Sequence, residues 1–279
     1  MKRYPFLADI PAAEYHQDAR DGKFLSSHLL GDFRKCPKLY RKKLSGEIEA
    51  GDTAAYLMGR AVHTLVLEGR GKFDEEFMVS EGPVNPKTGE PFGKTTKAYR
   101  EWAAVQKMPV VSSQDFGFIT KLQQAVWTHG LANGLLADGV AEMTVRTSYL
   151  GVPSQIRMDW FIPDFGGAPA ICDLKTCDTL DRFESDARKY GYPEQLAFYR
   201  EVFRIAAHEA DPGRTPPKPD CYLIAVEKRE PYRVAVYKLA DDLLDAAQAT
   251  NERAIEELRR CCQEGTWPTR TEELRIIDL

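Results

Sequence analysis

Polar and apolar residues alternate along five stretches in the second half of the chain. An alternation with a period of two places successive side chains on opposite faces of a β-strand. Each stretch is rich in Val, Ile, Tyr, Phe or Trp and is bounded by turn-forming residues, which favours strands. The predicted strands are residues 139–150, 155–162, 170–176, 221–228 and 232–239.

The second predicted strand has one apolar face and one mixed face. Its apolar face is formed by Ile156, Met158, Trp160 and Ile162. Its opposite face holds Gln155, Arg157, Asp159 and Phe161. The alternation therefore predicts that Arg157 and Asp159 lie on the same side of the sheet.

Elsewhere, apolar residues recur every three to four positions, which is the spacing of an amphipathic helix. Ser26 or Ser27 can cap a helix that runs through Phe33, and Gly69 is a stop signal after the strongest helical pattern. The other predicted helices are residues 53–67, 95–107, 112–129, 193–208 and 240–263.

Four segments lack a clear period. Residues 1–25 are predicted to be an extended arm with a short turn, residues 80–95 a mobile loop, and residues 177–192 a polar connection. Residues 264–279 form a tail in which Trp267, Ile276 and Ile277 can dock on a neighbouring surface.

Helices followed by three strands, a helix and two further strands predict a mixed α/β domain. We expect an N-terminal arm and basic helical segment over residues 1–52 and a main domain over residues 53–279, together forming one compact unit. With 279 residues and 43% hydrophobic content, the chain can bury a single large core.

The composition restricts the cellular compartment and the classes of partner that we expect. No run of 18 apolar residues is present and the N-terminus lacks an apolar signal core, so we expect a cytoplasmic protein without membrane contact. The six cysteines are scattered, which favours reduced thiols. A net charge of −4 excludes a uniformly basic surface but leaves room for a local basic patch.

The third predicted strand carries the clearest candidate chemistry. Asp173 and Lys175 share one face of it, and Asp159 can approach Asp173 if the two strands pair as a hairpin. Neighbouring carboxylates repel each other unless a proton or a cation intervenes, and Mg²⁺ prefers oxygen ligands. With Lys175 positioned to orient or deprotonate water, this pattern indicates phosphodiester hydrolysis. The alternative is a solvated face with surface ion pairs.

The helix that follows places Gln195 and Tyr199 four residues apart and hence on one face. Together, Asp159, the sequence Asp173-Leu174-Lys175 and the pair Gln195 and Tyr199 resemble the PD-(D/E)xK nucleases of the RecB and RecE (exonuclease VIII) type. The resemblance implies a restriction-endonuclease-like fold, a mixed central sheet flanked by helices.

The resemblance also implies the roles of individual residues. Gly59 and His63 match a helix that supplies an imidazole, so the implied ligands of Mg²⁺ or Mn²⁺ are His63, Asp159, Asp173 and the carbonyl of Leu174. The implied catalytic residues are Lys175, Asp173, Asp159 and Glu142. The alternatives are a core or surface histidine and an exposed strand Glu142 paired with Arg146 or Arg157.

Substrate contacts are expected from two regions. In the resembled family Gln195 and Tyr199 steer DNA or the lysine side chain, and Tyr190 and Arg157 are further candidates. Six of the ten residues from Arg34 to Lys43 are basic, which suits phosphate contact. We expect this contact from Arg34, Lys35, Lys38 and Arg41; the alternative is a solvated helix with Leu39 and Tyr40 turned inward.

The implied activity is digestion of double-stranded DNA from 5′ ends, leaving 3′ single strands for a single-strand annealing recombinase, by a ring-shaped homo-oligomer. A single-strand-specific or structure-specific endonuclease and a catalytically silent DNA-binding subunit remain alternatives. Some related nucleases hold an iron–sulfur cluster, but Cys261 and Cys262 are adjacent and no third cysteine follows them, so no such cluster is expected.

Overall fold

A mixed sheet of five strands forms the centre of the computed structural model, which describes residues 4–48, 54–274 and 276. Two further short strands pair with each other in parallel. The strands are β1 (Met78–Val79), β2 (Val110–Val111), β3 (Val140–Tyr149), β4 (Val152–Phe165), β5 (Ala168–Cys177), β6 (Asp220–Glu227) and β7 (Val234–Lys238).

Helices surround the sheet, and most of them match a predicted pattern to within a few residues. They are α1 (Ala12–Arg20), α2 (Ser27–Lys35), α3 (Pro37–Leu44), α4 (Ala54–His63), α5 (Gly69–Glu76), α6 (Lys97–Ala104), α7 (Ser113–Thr128), α8 (Gly130–Leu136), α9 (Phe183–Tyr190), α10 (Tyr192–Ala210) and α11 (Asp241–Glu264). A π-helical turn, Thr64–Glu68, continues α4, and a short 3₁₀ turn, Leu180–Arg182, precedes α9.

The central sheet has the strand order β3-β4-β5-β6-β7. All neighbours are antiparallel except β5 and β6, which run parallel and are connected through α9 and α10. A parallel pair requires a long crossover connection, usually helical, and the 42 residues between the two strands provide it. The predicted mixed central sheet flanked by helices is confirmed.

Both faces of the sheet are covered by apolar side chains. One core contains Phe161, Phe198 and Phe203 and includes residues of α2, α10 and α11. The other contains Trp160 and Leu174 and includes residues of α4, α7 and α8. The central strands are therefore buried on both faces, where a polar side chain is costly unless it has a partner.

The predicted apolar face of the second strand is wrong beyond its midpoint. Ile156 and Met158 lie in the first core, whereas Trp160 and Ile162 lie in the second. The change of face occurs opposite Glu142, whose φ is +57°, and the regular pairing of β3 with β4 skips this position. A left-handed residue interrupts the alternation that a regular pleat imposes.

The N-terminal segment is not the extended arm that the sequence predicted. It contains α1, and its Ala8 pairs with Thr144 on β3, while the backbone N–H of Leu25 donates to the carbonyl of Pro153. Tyr4 and Leu25 are buried in the first core. These contacts join the segment to the edge of the sheet, which local sequence does not reveal.

Besides α1, three short helices were not predicted: α5, which begins at Gly69 where the sequence predicted a stop, α8 and α9. The polar connection before α10 contains α9, and α8 follows α7 directly. In α9 only Phe183 and Ala187 are buried, so its apolar stripe is one residue wide and too weak to recognise in the sequence. The expected boundary between residues 52 and 53, the start of a helix at Thr53 and the tail residue Ile277 lie outside the described residues.

In the tail, Trp267 stacks on Tyr40 with ring centroids 6.0 Å apart, whereas Ile276 is 92% exposed.

Among the described helices, none combines the length and apolar character needed to span a membrane.

Candidate active site

The candidate site lies where the end of α4 meets β3, β4 and β5. His63 is the last residue of α4, immediately before the π-helical turn, and its Nδ1 lies 3.3 Å from Asp159 Oδ2 on β4. Short π-helical segments frequently occur at functional sites because they alter the direction of the neighbouring side chains. The buried face of α4, which includes Ala61 and Val62, holds the helix against the second core.

Three potential metal ligands converge at this point. One ligand atom from each of His63, Glu142 and Asp159 lies within 4.8 Å of the others. Among the described residues, these three form the one cluster of His, Cys, Asp or Glu side chains that could hold a metal ion. A non-glycine residue with positive φ is uncommon and requires support from its surroundings. Glu142 adopts it in the middle of β3, next to the imidazole and the second carboxylate.

The ionised form of Glu142 is disfavoured within the trio. Burial raises the pKa of Glu142 to about 8, and the nearby Asp159 carboxylate adds to this effect. Arg157 opposes it, with Nε 2.6 Å from Glu142 Oε2. Burial also lowers the pKa of His63, so its imidazole is neutral at pH 7 and keeps a lone pair for a cation.

A second polar group adjoins the trio through β5. Lys175 Nζ lies 2.5 Å from Asp173 Oδ2, and the Gln195 amide donates to Asp173 Oδ1 at 2.9 Å. Lys175 also donates to Gln195 Oε1 at 3.4 Å, and the Gln195 amide lies 3.2 Å from the Tyr199 hydroxyl. The two groups are linked because the Leu174 N–H donates to Asp159 Oδ2 at 3.0 Å.

The charges in this second group are strongly coupled. Burial raises the pKa of Asp173 to about 7, against the opposing attraction of Lys175. Burial acts to lower the pKa of Lys175, but Asp173 and Asp159 together outweigh it and the net pKa is raised. Lys175 is therefore an ammonium at neutral pH and acts as a hydrogen-bond donor.

The four predicted metal ligands do not all lie together. His63 and Asp159 lie together, joined by Glu142, whereas Asp173 is 1% exposed and turned toward Lys175 and Gln195. The backbone of Leu174 lies between the two groups, because it hydrogen-bonds to Asp159 and to His63. Direct coordination by Asp173 and by the Leu174 carbonyl stays a prediction.

The predicted substrate residues fall into two sets. Tyr199 is 4% exposed and contacts Gln195, so the geometry favours orientation of Lys175 over contact with DNA; Tyr190 is 57% exposed. Within the basic segment, Arg34 donates to Asn251, and Arg41 lies over the Trp267 ring at 5.7 Å. The exposed basic residues of this segment are Lys35, Lys38 and Arg41.

Sequence reasoning missed Tyr192. Its ring centroid lies 4.8 Å from Lys175 Nζ, a cation–π distance. A signal was available, because Tyr192 precedes Gln195 by three residues in a helix and therefore shares its face. His28 was also missed: it is exposed on α2 and is close enough to Lys175 and Asp159 for their charges to influence its pKa, which is lowered.

The residues of the trio fit a divalent cation. Two carboxylates and a neutral imidazole suit Mn²⁺ and Mg²⁺, with the imidazole favouring Mn²⁺. Glu142, whose pKa is raised by burial and by Asp159, is the group that a cation would relieve. A bound ion of this kind lowers the pKa of a coordinated water and neutralises phosphate charge.

A half-buried imidazole–carboxylate trio beside an Asp-x-Lys strand defines a PD-(D/E)xK-like site on a mixed sheet. The chain belongs to the family described as "PDDEXK-like domain of unknown function (DUF3799)", whose model matches residues 26–279. The resemblance to the PD-(D/E)xK superfamily and the predicted fold class are thereby confirmed.

A solved structure agrees with this fold. The chain is similar to a "Putative exonuclease" from Eubacterium rectale, with a TM-score of 0.64 and 16% sequence identity over 98% of this chain and 96% of that chain. A structure of SSO0001 has a TM-score of 0.31 and 17% identity over 53% of this chain and 60% of that chain, which supports no argument. No curated protein sequence matches the chain.

Proposed function

We propose that the protein is a metal-dependent nuclease that hydrolyses phosphodiester bonds of DNA. The observation that carries this proposal is the convergence of His63, Glu142 and Asp159 within 4.8 Å, next to an ammonium at Lys175. Membership of the PDDEXK-like family supports it. Carboxylates whose pKa values are strongly raised by burial cluster at functional sites, which also supports the proposal.

Each residue has a distinct role in this proposal. His63, Glu142 and Asp159 hold Mg²⁺ or Mn²⁺, with Asp173 and the Leu174 carbonyl as further ligands. Lys175 donates a hydrogen bond to the attacking water or to a phosphate oxygen, and it is held in place by Asp173 and Gln195. Tyr199 fixes the amide of Gln195 from the buried side.

Arg157 supports the site by partly neutralising Glu142. Lys35, Lys38 and Arg41 expose their charges on α2 and α3 and are available for more distant phosphates; Arg34 is tied to Asn251 and contributes less.

We further propose that the substrate is double-stranded DNA degraded from its 5′ ends, with release of 3′ single strands. The name of the similar solved structure and the resemblance of the sequence motifs to exonuclease VIII-type enzymes support this. A ring-shaped homo-oligomer and a single-strand annealing recombinase as partner complete the proposal.

A cleavage assay on four substrates under three metal conditions tests it. Linear duplex labelled at the 5′ or the 3′ end, labelled single strand and closed circular DNA are incubated with Mg²⁺, Mn²⁺ or EDTA. We expect 5′-labelled duplex to lose its label first, closed circles to stay intact, and EDTA to abolish cleavage. Cleavage of circles would support an endonuclease instead, and cleavage in EDTA would exclude the metal mechanism.

A pair of variants from the same strand gives the matched control. Asp159→Asn removes a proposed ligand, whereas Asp164→Asn changes a carboxylate at the end of the same strand, which accepts a turn hydrogen bond from the Gly167 N–H that an amide oxygen can also accept. We expect Asp159→Asn to lose both cleavage and Mn²⁺-induced thermal stabilisation and Asp164→Asn to keep both. Equal behaviour of the two variants would contradict the proposed site.

A further inference from the structure

Aromatic rings lead from the amine of Lys175 to the protein surface. The Tyr192 ring lies 4.8 Å from Lys175 Nζ, and the Tyr190 ring lies 6.0 Å from that of Tyr192, with an angle of 31° between their planes. Tyr192 is half-buried and also neighbours Phe183, with centroids 6.2 Å apart. Tyr190 is 57% exposed, although an aromatic ring gains from burial.

The position of both tyrosines follows from a sharp turn at Gly191. This residue ends α9 and precedes α10, with φ of +76° and ψ of +34°, a conformation that favours glycine. A Cβ atom at this position would lie 3.3 Å from Arg34 Nη2 and 3.5 Å from Glu194 Oε2, so little space is available for a side chain. The turn therefore holds the tyrosines that flank it next to each other.

Two basic residues of α9 lie beside the exposed ring. Lys189 Nζ lies 5.5 Å from the Tyr190 ring centroid, and Arg188 and Lys189 are both exposed in the last turn of α9. A cationic, aromatic surface that adjoins Lys175 is complementary to a nucleic-acid strand, whose backbone is anionic and whose bases have apolar faces. This combination favours nucleic acid over an apolar protein segment as the occupant.

We propose that Tyr190 and Tyr192 form a stacking site for an unpaired nucleobase. The base belongs to the nucleotide that flanks the phosphate at Lys175, so this inference rests on the proposed function. Tyr192 forms the inner part and is held by Lys175 and Phe183, while Tyr190 provides the outer ring that contacts the base. The strand to be cut is then unpaired at this nucleotide, and frayed ends and single strands bind more tightly than fully paired blunt ends.

Deletion of the base provides the sharpest test. Binding of a single-stranded oligonucleotide to the Asp159→Asn protein is compared with binding of the same strand carrying abasic nucleotides at successive positions from its end. We expect Tyr190→Ala to weaken binding of the intact strand by about 5-fold or more. At one abasic position the variant and its parent should bind equally, because the stacking partner is already missing.

Two further variants separate stacking from other effects. Tyr190→Phe keeps the ring and should bind as its parent does. Tyr222→Ala removes a comparable ring, which neighbours Lys238 at 5.8 Å and Phe165 at 5.9 Å on another part of the sheet, and should leave binding unchanged. A 2-aminopurine base at the same position should be quenched by the parent and by Tyr190→Phe but not by Tyr190→Ala.

The outcomes distinguish this inference from the proposed function. If the wild-type protein cleaves DNA but Tyr190→Ala binds every strand as its parent does, the stacking site is wrong and the nuclease assignment stands. If no DNA is cleaved but Tyr190-dependent quenching occurs, the stacking site stands on a DNA-binding protein. If neither cleavage nor binding occurs, both are wrong.

Discussion

Two buried carboxylates on neighbouring strands behave in opposite ways. Glu227, at the end of β6, is 4% exposed, and hydrogen bonds from Arg233 and from the Leu180 N–H lower its pKa to about 2. Asp173, on β5, is 1% exposed, and burial raises its pKa to about 7 although Lys175 lies 2.5 Å away.

The difference lies in how strongly burial acts on each carboxylate and in how fully each is hydrogen-bonded. Glu227 accepts two bonds from a guanidinium and one from a backbone N–H, all between 2.6 and 2.8 Å, as expected of a structural ion pair. Asp173 accepts one amide bond, and its other oxygen makes no well-aligned hydrogen bond despite the close amine. Incomplete compensation of this kind is characteristic of sites that act on a ligand.

The largest effect is expected at the Asp173–Lys175 pair, which we assign to the active site. Lys175→Ala should fold normally but reduce the DNA cleavage rate by about 100-fold or more, because it removes the donor nearest the proposed reaction centre. The rate is measured on end-labelled duplex with Mn²⁺, and folding by circular dichroism. Lys228→Ala, which breaks a surface ion pair with Asp178, should keep full activity. Retained activity of Lys175→Ala would refute the proposed role.

A smaller effect, on stability, is expected at Glu227, which we assign to a structural ion pair. Glu227→Ala should lower the free energy of unfolding by about 1–3 kcal/mol, because the Leu180 N–H and the Arg233 guanidinium lose their acceptor. It should leave the metal dependence of cleavage unchanged. Chemical denaturation measures the stability, and Asp178→Ala on the nearby surface provides a control with an unchanged melting temperature. An unaltered stability of Glu227→Ala would contradict the structural assignment.

The smallest effect concerns pH. The pKa values of Glu142 and Asp173, about 8 and 7, exceed the ordinary values of 4.5 and 3.8, so the native protein binds more protons than the unfolded chain between these limits. Its stability then falls as pH rises. Burial lowers the pKa of His63, and the pKa values of His16 and His28 are lowered as well, which has the opposite effect but only below their ordinary value of 6.5.

Metal-free protein should therefore have a lower melting temperature at pH 8 than at pH 6.5. Glu142→Gln should reduce this difference, since an amide does not titrate. Calorimetry in EDTA at both pH values measures it, and Glu209→Gln, an exposed glutamate bonded to Thr147, is the control. A melting temperature that rises from pH 6.5 to 8 would show that the carboxylates are not stabilised in their protonated form.

Much of the fold could be predicted because its signals are local. The alternation in β5 placed Asp173 and Lys175 on one face, and the helical spacing of Gln195 and Tyr199 placed them on another element that faces the same site. The signal failed where a contact between distant segments overrides the local pattern. Glu142 adopts a left-handed conformation in mid-strand, and the face of β4 changes opposite it.

The candidate site was predicted as a list of residues but not as an arrangement. The sequence alone determined which chemical groups are present: an imidazole, three carboxylates, an amine and the strands and helices that carry them. Only the tertiary structure decided that Glu142 joins His63 and Asp159 while Asp173 turns to Lys175 and Gln195. The reason is that spacing along the chain sets the direction of a side chain, whereas burial and the partners supplied by distant segments set its charge and its contacts.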